Sequence, residues 1–317
     1  MTKLPIVAAI TVATSALAQR PANVSICDHY ATALLGASNA TTQKTLVALV
    51  VNTAVIGNYT TPNKLAVPGI LAERAEYNGT TVSLLPYFNG ALKSTNDGGE
   101  AGVSVNFLDD GGAEPLKMNK AADGMESNQY KLMSHLYSYF GHLLGCSALA
   151  GTKSSSDFPA YAGDKSMYET HKFMALNAYQ VQYFIQQVGL SAASFGVATE
   201  DVTAVGEALQ GYFGVKCAPE TEIIMGQGKE LQSICIAEGC PEAPDASCKA
   251  YGKVVKPEGT ELDVEGGSDG EDSDPTSTGS PGGMPQETET KKSAGSTIGY
   301  SIVATGLVMV GLLSFFA

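Results

Sequence analysis

One histidine stands out as a residue that could do chemistry. His171 follows Met167 by four residues, which places both side chains on one face of a helix. A neutral imidazole nitrogen is a common metal ligand, so this position could bind a metal ion or a metal-containing cofactor. A lone histidine between Thr170 and Lys172 is more often an ordinary surface or core residue. Taken by itself, His171 leaves both interpretations open.

Other catalytic arrangements do not stand out in the sequence. There are no evident paired carboxylates, glycine-rich phosphate loop or Ser/His/Asp set. Asp28 and His29 are adjacent, but triad members meet in space rather than in sequence, so their adjacency is not informative. No CxxC or Cys/His spacing suggests zinc, and the acidic pair Asp109 and Asp110 lacks EF-hand spacing. Hydrolase chemistry is therefore disfavoured.

Two helices are predicted to follow the histidine. Apolar residues recur at spacings of three and four, as in helices laid on a core. The pattern breaks at Gly196 and Val197, and Thr199 is expected to cap the second helix. The apolar positions are Val181, Phe184, Ile185, Val188 and Ala192 in the first helix, and Val202, Val205, Leu209 and Phe213 in the second. The histidine thus lies directly before two predicted helices that are joined by a short turn.

The stretch from Tyr161 to Phe213 resembles the C-terminal half of truncated, two-over-two haemoglobins. The shared features are the tyrosine, Gly163 two residues later, Met167, the histidine four residues beyond it, and two helices split by a Gly-Val turn. In that family the histidine at this place is the proximal ligand of haem iron. The resemblance therefore implies that His171 ligates the iron of haem b, with Met167 and Tyr161 beside the cofactor.

The resemblance also implies which residues face the haem from the other side. A predicted helix over residues 129–146 is similar to the family's helix ending in Leu-Gly-Gly and puts Leu132 and Leu136 over the distal face. His135 lies beside them. If the helix register is shifted by one residue, His135 could ligate the iron or donate a hydrogen bond to bound oxygen. Residues 84–90, Leu-Leu-Pro-Tyr-Phe-Asn-Gly, are similar to the family's Leu-x-x-Phe-Phe-x-Gly segment, and Phe88 within them is expected to pack on the porphyrin. An ordinary corner aromatic is the alternative.

The predicted distal side has few hydrogen-bond donors. Truncated haemoglobins often place a tyrosine and a glutamine there, whereas this chain offers Val51 or Asn52 and Leu136. Haem held by one imidazole leaves the opposite axial position open to oxygen, nitric oxide or a small sulfur ligand. Because a strong donor is missing, bound oxygen is expected to dissociate quickly.

The predicted fold class is an all-α, truncated-globin-like domain spanning residues 19–251. A helix over residues 41–56 comes before two segments that the family lacks. Residues 58–83 are expected to form an insertion that carries sugars, and residues 91–128 a glycine-rich, solvated hairpin or loop. A cysteine-rich, disulfide-stapled extension over residues 217–251 completes the domain.

Six cysteines, an even number, predict three disulfides and an oxidising compartment. Six cysteines allow fifteen pairings. We expect the last four to staple the C-terminal extension, which would leave the first two close together in space. In chain order the cysteines are Cys27, Cys146, Cys217, Cys235, Cys240 and Cys248.

Both ends of the sequence have the pattern of a secreted, anchored protein. Residues 1–18 combine Lys3, a short apolar run and a small-residue cleavage site, as in a signal peptide. Residues 252–292 are rich in Pro, Gly, Ser, Thr, Asp and Glu and predict a disordered acidic stalk. Residues 293–317 are typical of a GPI-attachment signal with Ser293 as the candidate site. A buried N-terminal helix and a single-pass anchor are the alternatives.

Four Asn-x-Ser/Thr sequons in the N-terminal quarter agree with secretion. The candidate glycosylation sites are Asn23, Asn39, Asn58 and Asn78. The layout of signal, glycosylated ectodomain, acidic stalk and GPI signal resembles that of fungal surface proteins. The expected location is the outer face of the plasma membrane or the cell wall.

Two functional hypotheses follow. The first is an extracellular haem protein that binds a diatomic gas or haem itself, with nitric oxide dioxygenation or peroxidase-like turnover as a secondary activity. The second is a haem-free, globin-like scaffold for the cell wall or adhesion. A net charge of −13 argues against nucleic acid as a partner, and the sequence indicates no protein partner. His171 discriminates between the two hypotheses, because a ligand must face a cavity.

Overall fold

The computed structural model describes residues 19–60, 65–150 and 157–259. The predicted signal peptide, residues 260–292 of the predicted stalk and the predicted GPI signal with Ser293 lie outside these residues. None of the helices in the described part of the chain has the length and apolarity needed to cross a bilayer.

The core is built by helices that pack around α2. This helix is buried along most of its length because it is apolar on nearly all sides. It packs against α1, α4 and α6, and α6 packs in turn against α7. In the described residues the helices are α1 Ile26–Leu35, α2 Ala40–Ile56, α3 Ala113–Lys117, α4 Asn128–Leu143, α5 Met167–His171, α6 Ala178–Ser194 and α7 Thr199–Phe213.

The prediction of an all-α fold is wrong, because two small antiparallel sheets accompany the helices. The first pairs β1 with β2, and the second has the strand order β4-β3-β5. The strands are β1 Ala75–Tyr77, β2 Thr80–Val82, β3 Asn89–Thr95, β4 Val103–Asn106 and β5 Glu258–Gly259. In the described residues, the segments that the truncated-haemoglobin resemblance left as insertions thus contain β1, β2, β4 and most of β3.

The first hairpin has a local sequence cause. Asn78 and Gly79 have φ values of 49° and 76°, the left-handed conformation that a tight hairpin turn requires. Thr80, Thr81 and Val82 follow the turn, and β-branched side chains favour the extended backbone. The Asn-Gly pair is therefore a hairpin signal within the segment that is predicted to be a glycosylated insertion.

The second sheet includes residues 258–259, which lie in the predicted stalk. Strand β5 pairs with Leu92 and Lys93 of β3, and the Lys93 ammonium lies 2.8 Å from the Glu258 carboxylate. Both side chains of this ion pair are largely exposed, so the pair contributes little to stability. The backbone pairing is what joins residues 258–259 to the domain.

Two helix starts differ from the sequence prediction. Helix α1 was not predicted, although Ser25 accepts a hydrogen bond from the Asp28 amide at its start and Gly36 ends it with a φ of 82°. Helix α7 begins at Thr199, but the capping position is occupied by Ala198, which makes no side-chain cap. Thr199 is the first helical residue rather than the cap.

The described cysteines form three disulfides, which confirms the disulfide prediction. Cys27 pairs with Cys146 and joins α1 to the chain just after α4. The extension contains the pairs Cys217–Cys248 and Cys235–Cys240. Its backbone also bonds to the helical core, since the amides of Ile234 and Cys235 both donate to the carbonyl of Phe213.

Candidate functional site

An apolar cavity of about 140 Å³ lies between α2, α4, α5 and α6, and His171 is part of its wall. The helices place aliphatic and aromatic side chains around it. Among these are Val51 and Val55 of α2, Leu132 and Leu136 of α4, and Phe184 and Val188 of α6. Such a cavity excludes water and favours an apolar ligand.

A second compartment of about 410 Å³, lined by both polar and apolar side chains and here called the vestibule, adjoins the apolar cavity. Phe88, Leu132, His171 and Met174 border both compartments, so the two adjoin at these side chains and are together called the cleft. The vestibule alone falls within the range of roughly 300–1,000 Å³ that is usual for ligand pockets. Its polar residues include Ser94 and Thr95 at the end of β3, Asn96 and Asp97 directly after it, and Lys131 and His135 on α4.

The hydrogen bond made by His171 fixes which of its ring nitrogens carries the proton. Nδ1 lies 2.7 Å from the carbonyl oxygen of Met167, one helical turn earlier. A carbonyl oxygen can only accept, so Nδ1 must donate and carries the proton. In a neutral imidazole the proton is then absent from Nε2, which presents a lone pair on the opposite side of the ring.

Burial keeps this imidazole neutral. Desolvation lowers the pKa of His171 below its usual value, and the bond to the Met167 carbonyl opposes that shift without reversing it. In the described structure Nε2 has no hydrogen-bond partner, and the accessible part of the ring borders the cleft. The geometry is that of a histidine ready to bind a metal through Nε2.

The other polar side chains in the apolar cavity are already engaged. Tyr139 donates its hydroxyl to Gln232 Oε1 at 3.3 Å. Gln180 donates from Nε2 to the Tyr87 hydroxyl at 3.2 Å, and its Oε1 accepts from the Asn177 amide at the start of α6. Burial also raises the pKa of Tyr139, so its phenol stays protonated. None of these groups competes with Nε2 for a ligand.

Val51 and Asn52, the two α2 residues predicted to lie on the distal side of the haem, have different surroundings. Val51 borders the apolar cavity. Asn52 is fully buried outside its lining, where it donates to the Leu116 carbonyl and accepts from the Tyr137 hydroxyl. The α2 side of the cavity is therefore aliphatic.

Five of the seven residues predicted to contact a cofactor border the apolar cavity. His135 borders only the vestibule, where burial lowers its pKa. Tyr161 lies outside both linings, packs edge-on against His135 and Tyr139, and donates its hydroxyl to the Asp164 carbonyl. The five are Phe88, Leu132, Leu136, Met167 and His171.

Several lining residues were not predicted. Ile70 comes from the first insertion and Ile234 from the C-terminal extension, and both reach the cavity through tertiary packing. Tyr139 lies on the predicted stripe of α4, so its helix position was a usable signal. No local pattern marked Ile70 or Ile234, because their roles depend on contacts distant in sequence.

The acidic loop before α4 has a structural role. Asp109 accepts hydrogen bonds from the amides of Asn128 and Gln129 and so caps the start of α4. Asp110 accepts from the Gly124 amide. Within the described ranges, no group of three or more His, Cys, Asp or Glu side chains is placed to hold a metal ion. A cofactor held through one histidine would not form a group of that kind.

The surroundings of the four sequons are compatible with glycosylation. The side chains of Asn23, Asn39, Asn58 and Asn78 are all exposed. Asn39 also caps α2 through Oδ1, which leaves the Nδ2 atom that would carry a sugar free of that bond.

Comparison with known proteins gives no assignment: no family model, curated protein or solved structure matches this chain.

Proposed function

We propose that this protein binds haem b in the cleft, with His171 Nε2 as the ligand of the iron. The observation that carries the proposal is the tautomer of His171, whose Nδ1 proton is held by the Met167 carbonyl while Nε2 has no partner. Metal-binding histidines generally donate their second ring nitrogen to a carbonyl or carboxylate in this way. The resemblance of residues 161–213 to truncated haemoglobins supports the same cofactor.

The side chains around the cleft fit an amphiphilic, planar group. Leu132 and Leu136 offer aliphatic contacts and Phe88 an aromatic one, and all three border the cavity. The adjoining vestibule offers polar side chains to the hydrophilic edge of such a ligand. Haem bound through one imidazole supplies an open axial position for a diatomic ligand.

The chain contributes three things to this chemistry. Met167 orients the imidazole, burial keeps it neutral, and the aliphatic residues of α2 and α4 exclude water. Because Val51, Leu132 and Leu136 cannot donate hydrogen bonds, bound oxygen would be held weakly. We propose binding of a diatomic gas or reception of haem itself as the function, rather than long-term oxygen storage.

We further propose that the protein acts outside the cell, anchored through GPI. The patterns of residues 1–18 and 293–317 support this location. Three disulfides and four exposed sequon asparagines agree with an oxidising, glycosylating compartment.

Titration of the purified, disulfide-bonded protein with hemin tests the haem proposal. We expect a sharpened Soret band with one-to-one stoichiometry in the parent and its loss in His171→Ala. His142→Ala is the matched control, since His142 is also a half-buried histidine with a pKa lowered by burial but borders neither compartment. His135→Ala tests the alternative ligand.

Three outcomes are informative. Loss of the band in His171→Ala alone supports the proposal. Loss of the band in His135→Ala alone would show that the iron ligand is His135, which borders the vestibule. Equally weak binding by all four proteins would contradict haem binding and favour a scaffold role.

A further inference from the structure

The C-terminal extension contacts the start of the helix that carries His171. The Leu231 carbonyl accepts hydrogen bonds from Ser166 Oγ at 2.8 Å and from the Tyr168 amide at 3.2 Å. Gln232, which is 1% exposed, donates from Nε2 to the Lys165 carbonyl at 3.0 Å. These two consecutive residues of the extension therefore hold the segment where α5 begins.

Helix α5 depends on such contacts because it has only five residues. The first amides of a helix have no intrahelical acceptor, and a helix this short is not stable alone. Ser166 Oγ accepts from the Glu169 amide. The Met167 amide points to Gln232 Oε1 at 3.4 Å, and the Tyr168 amide to the Leu231 carbonyl. Two of these three acceptors come from the extension.

One peptide group connects these contacts to the imidazole. The carbonyl of Met167 accepts from His171 Nδ1, and the amide of the same peptide unit, on Tyr168, donates to the Leu231 carbonyl. Hydrogen bonds in series polarise one another, so a peptide whose N–H is bonded is a better acceptor at its C=O. The extension thus fixes both the place and the strength of the acceptor that orients His171.

Gln232 also contacts a cavity-lining residue of α4. Its Oε1 receives the Tyr139 hydroxyl at 3.3 Å, and Tyr139 borders the apolar cavity from α4. Its Nε2 makes a second, longer bond of 3.3 Å to the Thr221 carbonyl. One buried amide therefore links the extension, α4 and the start of α5.

We propose that Gln232 is a positioning residue for His171: it fixes the start of α5 and thereby the orientation of the imidazole toward its ligand. The effect on ligand binding rests on the proposed haem function, whereas the support of α5 by Gln232 applies to the ligand-free protein as well. The chemistry it serves is axial ligation of a planar metal cofactor.

The test uses Gln232→Met, which keeps an unbranched side chain of similar volume and removes its four hydrogen bonds. Gln43→Met is the matched control. Gln43 is also fully buried, donates to Asp28 and accepts from the Ala148 amide, but it borders neither compartment. Both variants lose a buried polar network, and only one loses the connection to α5.

Two readouts are combined. Hydrogen exchange of the ligand-free protein reports on amides 167–171, and hemin titration reports on ligation. We expect faster exchange of those amides in Gln232→Met only, together with hemin affinity reduced about 10- to 100-fold, the usual effect of losing a residue that orients a metal ligand. The iron–histidine resonance Raman band of the ferrous protein should shift in the same variant.

Unchanged exchange of amides 167–171 in Gln232→Met would overturn the inference. Faster exchange with unaltered hemin affinity and an unshifted band would overturn it too, since α5 would then be supported without consequence for the ligand. Failure of the haem proposal itself has a different signature. In that case His171→Ala and the parent would bind hemin alike, whatever Gln232→Met does to exchange.

Discussion

At the residue scale, the proposed haem binding depends on the two nitrogens of His171. A histidine that satisfied both nitrogens within the protein would be an ordinary core residue. Here Nδ1 is bonded to the Met167 carbonyl, and Nε2 is left at an apolar cavity without a partner among the described residues. This asymmetry separates a candidate ligand from a structural histidine, and only the structure reveals it.

If the protein binds oxygen at haem as proposed, a hydrogen-bond donor placed on the α4 side of the cavity should slow oxygen release. Leu136→Gln puts an amide at a position that borders the cavity. One neutral hydrogen bond contributes about 0.5–1.5 kcal/mol, so we expect oxygen dissociation from the ferrous haem protein to slow by about 2- to 10-fold. Leu136→Met, similar in size but without a donor, should keep the parent rate in stopped-flow measurements. Equal rates in both variants would place the bound gas away from Leu136.

The buried imidazole also predicts how stability depends on pH. The folded state lowers the pKa of His171, so the unfolded chain binds the proton more readily. The stabilising contribution is complete above the ordinary histidine pKa of about 6.5 and is lost as the pH falls from there toward the lowered value. Urea unfolding of the ligand-free protein from pH 7.5 to 5 should show this loss.

The matching variant is His171→Phe, which removes the titrating group and keeps a ring. Its free energy of unfolding should fall less steeply over the same pH range. His135 and His142, whose pKa values are also lowered by burial, account for the slope that persists. A parent and variant with identical slopes would show that His171 does not titrate as a buried neutral group.

At the element scale, the first insertion is fastened to the core at Gly69. Its φ is +85°, and a methyl group added there would lie 2.7 Å from the Val55 carbonyl oxygen. The Gly69 amide donates to Gln187 and its carbonyl accepts from Tyr183, both on α6. Ile70, the next residue, borders the apolar cavity. The close backbone contact therefore sets one wall of the site.

Gly69→Ala should destabilise the protein, because it adds both a clash and an unfavourable backbone conformation. We expect a loss of about 1–3 kcal/mol in the free energy of unfolding. Gly211→Ala in α7 is the control, since nothing lies within 4 Å of the added methyl. It should gain roughly 0.5–1 kcal/mol. Chemical denaturation measures both, and a harmless Gly69→Ala would contradict the tight contact with α2.

At the scale of the whole molecule, the three disulfides act over different distances. The pair Cys27–Cys146 spans 119 residues, whereas Cys235–Cys240 spans 5. In the chain-entropy description, closing the longer loop contributes about 5 kcal/mol and closing the shorter one about 2 kcal/mol. Replacing both cysteines of a pair by alanine should therefore lower the melting temperature more for the first pair. Calorimetry that ranked the pairs in the opposite order would show that strain or local contacts outweigh loop entropy.

The sequence predicted the parts of the molecule that have a local cause. The apolar periodicity of α4, α6 and α7 and the long apolar run of α2 are readable from the sequence, and so is the placement of Met167 and His171 on one helix face. The hairpin at Asn78 had a turn signal that the family resemblance obscured. Gln232 had no signal, because its role arises from contact with α5, more than sixty residues earlier in the chain.

The most direct test of the central claim is imidazole rescue of His171→Gly. This variant removes the side chain and leaves space beside the cavity, so added imidazole can occupy the place of the missing ring. We expect the variant to lose the parent's Soret spectrum with hemin. Added imidazole should restore that spectrum, and the effect should saturate as the imidazole concentration rises. Circular dichroism would verify that the variant is folded. A folded variant that keeps the parent spectrum without imidazole would contradict ligation by His171.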